Sequence, residues 1–181
     1  MSMTKVTNNI IEAVDASKIT GAMPAIDGSA LTGIEGGGKV LQVVSNHRQV
    51  QAGSNVASTW HTTGLEGNIT LSSTSSKVFI MYTMPMHHSQ VGKRNVTTVF
   101  RGAVGATNLA QSANMGLTMS RGADATGGGL TTVETGCVID TPNSTSPLLY
   151  TVGFRILDSG LTVYPMINNS NSSIILMEIS E

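Results

Sequence analysis

The run "SKVFIMYTM" (Ser76–Met84) is apolar on both faces of any strand it forms. Side chains alternate across an extended strand, so Val78, Ile80, Tyr82 and Met84 share one face while Phe79 and Met81 share the other. A strand with one wet face would carry polar residues at Phe79 and Met81. The same doubling returns in "SIILMEI" from Ser173, where Ile174 and Leu176 lie on one side and Ile175, Met177 and Ile179 on the other. "YTVGFRIL" from Tyr150 differs. Its Tyr150, Val152, Phe154 and Ile156 predict a core side, and Thr151, Gly153 and Arg155 a wetter one.

Further short runs rich in Val, Ile, Thr and Tyr surround these three. They are "KVLQVV" from Lys39, "STWHTTG" from Ser58, "GNITLS" from Gly67, "VTTVFRGAV" from Val96, "LTTVETGCVI" from Leu130 and "LTVYPMI" from Leu161. Clusters of Gly, Asn, Ser and Pro separate them, and sustained helical periodicity is nearly absent. Nine short strands of this kind predict an all-β, antiparallel, jelly-roll-like β-sandwich over residues 39–181. Strands apolar on both faces need cover on both. Without helices that cover is either a long loop of the same chain or another subunit, and the second is favoured. Each large aliphatic side chain taken out of water contributes roughly 1.5–3 kcal/mol, which matters against a net stability of about 5–15 kcal/mol.

Residues 1–38 have another character. Val14-Asp15-Ala16-Ser17-Lys18-Ile19-Thr20-Gly21 returns twelve residues later as Ile26-Asp27-Gly28-Ser29-Ala30-Leu31-Thr32-Gly33. Such a thread buries too little of its own surface to fold alone, so it reads as an extended arm that winds with copies from neighbouring chains or docks on a larger body. A flexible Gly/Ser linker has no need of Val14, Ile19, Ile26, Leu31 and Ile34 at regular intervals. The expected contacts between copies are therefore these five residues of the arm, and Phe79, Met81, Ile175 and Met177 of the head.

Composition narrows the function classes. The chain has 181 residues, of which 12% are charged, and a formal net charge of −1. Its scattered Lys and Arg offer no footprint for nucleic acid or an anionic membrane. No apolar run approaches the roughly 20 residues that span a bilayer, and "MSMTKVTNNIIEAVD" lacks the apolar stretch of a secretion signal, so synthesis in the cytoplasm is expected and the Asn-x-Ser/Thr sequons carry no message. The single Cys137 forms no disulfide within the chain and reads as a small buried hydrophobe.

The arm "ASKITGAMPAIDGSALTGI", the join "GGGKVLQVV", the run "SSTSSKVFIM" and the ending "LTVYPMINNSNSSIILMEIS" resemble small phage tail-fibre and virion structural proteins, especially those of marine and cyanobacterial phages. The resemblance runs from the N-terminus to the last strand. It implies a homotrimer in the virion, assembled in the host cytoplasm, with the N-terminal arm attached to other virion proteins. The C-terminal jelly-roll head would then face outwards towards a host surface glycan or protein. A capsid decoration or head-fibre protein is the alternative within the same family.

Motifs of catalysis are missing. There is no Gly-x-Ser-x-Gly elbow, phosphate loop, His-Glu-x-x-His or paired-Cys motif, and no cofactor is expected. Gly127-Gly128-Gly129 precede a strand-like run rather than a helix and read as a loop. A glycan-degrading tailspike would draw two carboxylates from Asp124, Glu134, Asp140 and Asp158, which otherwise read as solvated turn residues. His87 and His88 would face opposite ways on a strand, so one ion can gather only one from each chain around a threefold axis; the plainer reading is polar loop residues. Trp60, beside His61, reads as a core anchor before a sugar-stacking platform. The segment Gly102–Gly129 reads as a long loop facing a receptor or a neighbouring subunit, with Asn114, Met115, Arg121 and Asp124 its candidate receptor-facing residues.

Overall fold

The computed structural model describes residues 38–122 and 130–180. The arm positions Val14, Ile19, Ile26, Leu31 and Ile34 lie outside the described residues, as do Asp124 and the Gly127–Gly129 run. The described residues form ten strands: β1 (Val40–Arg48), β2 (Trp60–Ile69), β3 (Lys77–His88), β4 (Arg94–Arg101), β5 (Thr107–Asn108), β6 (Thr118–Arg121), β7 (Leu130–Asp140), β8 (Leu148–Ile156), β9 (Val163–Pro165) and β10 (Ser172–Ile179). One 3-10 turn, Ile167–Asn169, precedes β10.

Two antiparallel sheets result. The first has the order β1-β10-β3-β7, with β9 continuing beside β3 where β10 leaves off; the second has β2-β8-β4-β5, with β6 also on β4. Apart from β4–β5–β6 and β9–β10, successive strands alternate between sheets, and this is the jelly-roll path. The expected all-β sandwich is therefore the observed one.

Alternation builds the core. Along β3 the inward set is Val78, Ile80, Tyr82, Met84, Met86 and His88, all buried, and along β10 it is Ile174, Leu176 and Glu178. They meet Leu65 and Ile69 of β2 and Tyr150, Val152, Phe154 and Ile156 of β8.

Several expectations need correction. "STWHTTG" and "GNITLS" are one strand, β2, because Gly64 takes φ +72° and the β2–β8 register shifts between Thr62 and Glu66, so a bulge absorbs what reads as a break. The Gly102–Gly129 segment carries β5 and β6, too short to show periodicity. His87 and His88 end β3 instead of lying in a loop; they do face opposite ways, His88 inward and fully buried. Cys137 is exposed, since the inward places of β7 belong to Glu134, Gly136 and Asp140.

The wetter side expected for β8 is also dry. Thr151 and Gly153 are buried, together with Val96, Thr98 and Phe100 on the same outer face of β4. The chain after β4 lies over this face: Val104, before β5, reaches Gly153, Asn108 of β5 bonds Thr98, and the stretch between β5 and β6 crosses β8 to reach β2. There the Trp60 indole Nε1 donates to the Ala113 carbonyl at 2.9 Å, and Arg155 Nη1 of β8 donates to the Asn114 side-chain oxygen. Trp60 and Phe100 stack edge to face at 5.2 Å. The excursion returns tightly: a Cβ on Gly116 would sit 2.2 Å from the Thr97 carbonyl oxygen, so only glycine fits.

Candidate functional site

The outer face of the β1-β10-β3-β7 sheet has no such cover among the described residues. Register places its side chains in rungs across four strands. Val43, Met177, Phe79 and Ile139 form one rung, and Ser45, Ile175, Met81 and Cys137 the next. Residues directly opposed in an antiparallel ladder share a face, so these are contiguous. Val43 and Ile139 are each 57% exposed, and Val133, further along β7, is 67% exposed. Phe79, Met81, Ile175 and Met177 are half-buried by their neighbours alone. Beyond them the third rung turns polar, with His47, Ser173, Thr83 and Thr135. The four head residues expected at contacts between copies thus lie together on one surface. Val43, Ile139 and Cys137 join them on this surface although the sequence reading did not single them out as contacts, and their own runs Val43-Val44 and Cys137-Val138-Ile139 are apolar on both faces.

Beneath this face the sheet hides carboxylates. Glu178 is fully buried and accepts from Ser72 N and Oγ at 2.8 and 2.6 Å and from Gln42 Nε2 at 2.6 Å. Burial pushes its pKa up, but these hydrogen bonds to the charged form outweigh burial and hold it at about 2. Asp140 accepts from the Tyr150 hydroxyl at 2.8 Å and pairs with Arg101 at 3.2 Å. Burial and the Asp140 charge both raise the Tyr150 pKa. Glu134 accepts from Thr118 Oγ1 at 2.7 Å, in a chain that continues through Thr97 to the Tyr82 hydroxyl. Near it His88 Nε2 meets Ser120 Oγ at 3.0 Å, and burial lowers the His88 pKa. Glu134 and Asp140 are therefore buried structural acids, a correction to their reading as solvated turn residues. Each is bound to its own partners within the fold.

The other candidates are dispersed. Trp60 is half-buried and spends its N–H on the β5–β6 excursion. His87 Nδ1 meets Thr131 Oγ1 at 3.1 Å, and no group of three or more His, Cys, Asp or Glu among the described residues is placed to hold a metal. Asn114 fastens the excursion to Arg155, while Met115 stays 45% exposed. Arg121 lies at the end of β6 beside Arg94.

No family model and no curated protein matches this chain. Among solved structures, it is similar to the T=1 particles derived from infectious bursal virus, with a TM-score of 0.43 and 11% identity over 77% of this chain and 36% of that one. It is also similar to the VP2 subviral particle of infectious bursal disease virus, with a TM-score of 0.39 and 11% identity over 77% of this chain and 39% of that one. The chain spans well under half of the length of either.

Proposed function

We propose that this chain is a non-enzymatic virion structural protein, a short trimeric tail fibre whose head takes part in host attachment. The observation that carries the reading is the two-rung apolar band of Val43, Met177, Phe79, Ile139, Ile175 and Met81 on a sheet that its own described chain leaves uncovered. Its neutrality suits burial against another copy, because the band itself brings no charge to be desolvated. A closed ring of heterologous contacts, in which the band of one copy meets different surface of the next, is one permitted arrangement, and the resemblance of the sequence to phage fibres implies three copies. The buried, hydrogen-bonded acids of β7 and β10 support a structural role over a catalytic one.

Light scattering on the purified chain at micromolar concentration tests the assembly. Three times the 18.8 kDa mass of one chain is expected, and a soluble, fully ordered monomer overturns the reading. Antibody labelling of intact particles tests the location. Label on the tail supports the fibre, and label spread over the shell replaces it with a capsid decoration protein.

A further inference from the structure

At the end of the sandwich where β4 begins, three of the chain's ten Lys and Arg residues meet. Lys93, Arg94 and Arg121 line a cleft of about 490 Å³ together with Val91, Gly92 and Asp158. Arg94 and Arg121 oppose each other directly in the β4–β6 ladder, an arrangement that costs stability because like charges repel across a strand pair. The fold props this pair in place. Asp158 accepts from Arg94 Nε at 3.0 Å, from Arg94 Nη2 at 2.8 Å and from the Arg94 backbone N–H at 2.8 Å. Lys93 Nζ donates to the Ser159 carbonyl at 2.9 Å, and Arg121 Nε donates to the Gly92 carbonyl at 3.0 Å.

One carboxylate thus answers three cations. Among the described residues no hydrogen bond engages Nη1 or Nη2 of Arg121, and Lys93 and Arg94 each keep further N–H donors. The backbone of the cleft is already satisfied, with Gly92 N donating to the Gly122 carbonyl and Gly122 N to the Lys93 carbonyl. Any ligand is therefore read by side chains, and those on offer are two guanidinium forks and an ammonium.

We propose that this cleft binds an oxyanion, the carboxylate, sulfate or phosphate group of a small polar ligand. Guanidinium groups match such anions with paired N–H donors, and the cleft volume falls in the range of small-ligand sites. Asp158 orders Arg94 without cancelling the positive charge of the cleft. The inference is independent of the assembly reading, because it uses no residue of the β1-β10-β3-β7 outer face.

Titration of the full chain with sodium sulfate, sodium phosphate or sodium glucuronate at constant ionic strength, followed by amide and guanidinium NMR shifts, tests it. Saturable binding at one site per chain is expected, with shifts at Gly92, Lys93, Arg94 and Gly122. The anion that binds most tightly identifies the chemical source. Arg121→Gln and Lys93→Gln each weaken that binding about tenfold, whereas Lys39→Gln, which removes the same charge elsewhere, leaves it unchanged. Absence of saturation with all three anions, or equal weakening by Lys39→Gln, overturns the proposal.

Discussion

The two outer faces of this sandwich solve one problem differently. Both carry large apolar side chains, Phe100 and Val96 on the β2-β8-β4 sheet and Phe79 and Met177 on the β1-β10-β3-β7 sheet. The first face is closed by the chain itself: Phe100 is 2% exposed, packed against Trp60 and Gly153, and the β5–β6 excursion pins itself to Trp60 and Arg155. The second face is left to partial shielding by its own neighbours. The chain lays a long excursion over one face and none of its described residues over the other, and the proposed assembly would cover the second with other copies.

The comparison breaks first at Phe100. Phe100→Ala empties a closed site and is expected to cost about 3–5 kcal/mol in urea unfolding, with no dependence on protein concentration. Phe79→Ala on the open face should instead give a loss that varies with concentration, as the proposed contacts with other copies require. Equal, concentration-independent losses at both positions would mean that the faces do not differ.

Glu178 tests how firmly the open sheet is anchored from within. Its folded pKa of about 2 lies below the value of 4.5 for a free Glu, so it stabilises the fold fully above about pH 4.5. That contribution is lost as the pH falls towards 2. Amide exchange in β1 and β10 should quicken across this window, and Glu178→Ala should cost about 3 kcal/mol at neutral pH by leaving Ser72 and Gln42 without their acceptor.

Met177→Asp sharpens the contrast from the outside. A charge in the centre of the apolar band should shift the assembly to monomer in light scattering, at a cost of roughly 2 kcal/mol per contact. Cys137 stands in the next rung and serves as the reporter, reacting at least about tenfold faster with maleimide in that variant than in the unmodified assembly. A reaction rate unchanged by dissociation would place the contact elsewhere. The smallest effect belongs to the closed face: Asn114→Ala removes one hydrogen bond from Arg155 and should loosen the excursion by about 1 kcal/mol, seen as faster exchange of residues 109–117.

Much of the fold is legible in the chain because β alternation is local. Tyr150, Val152, Phe154 and Ile156 announce their common face, and "SKVFIMYTM" announces that both of its faces are greasy. The inward acids were illegible for the opposite reason. Glu134 and Asp140 read as wet until Thr118, Arg101 and Tyr150, all distant along the chain, arrive to satisfy them, and Cys137 is displaced outward as a consequence. The cleft shows the same limit: Arg94, Arg121 and Asp158 stand far apart in sequence, and only the β4–β6 pairing and the turn after β8 bring them together.

By itself the sequence determined most of the long strands, their alternation and the presence of large apolar residues on both faces of several of them. Those properties depend on a period of two residues, which each segment carries alone. Tertiary structure alone decided which face the excursion after β5 would cover and which the described residues leave open. That choice rests on contacts between segments some fifty residues apart, such as Trp60 with Ala113, whose geometry no single segment contains.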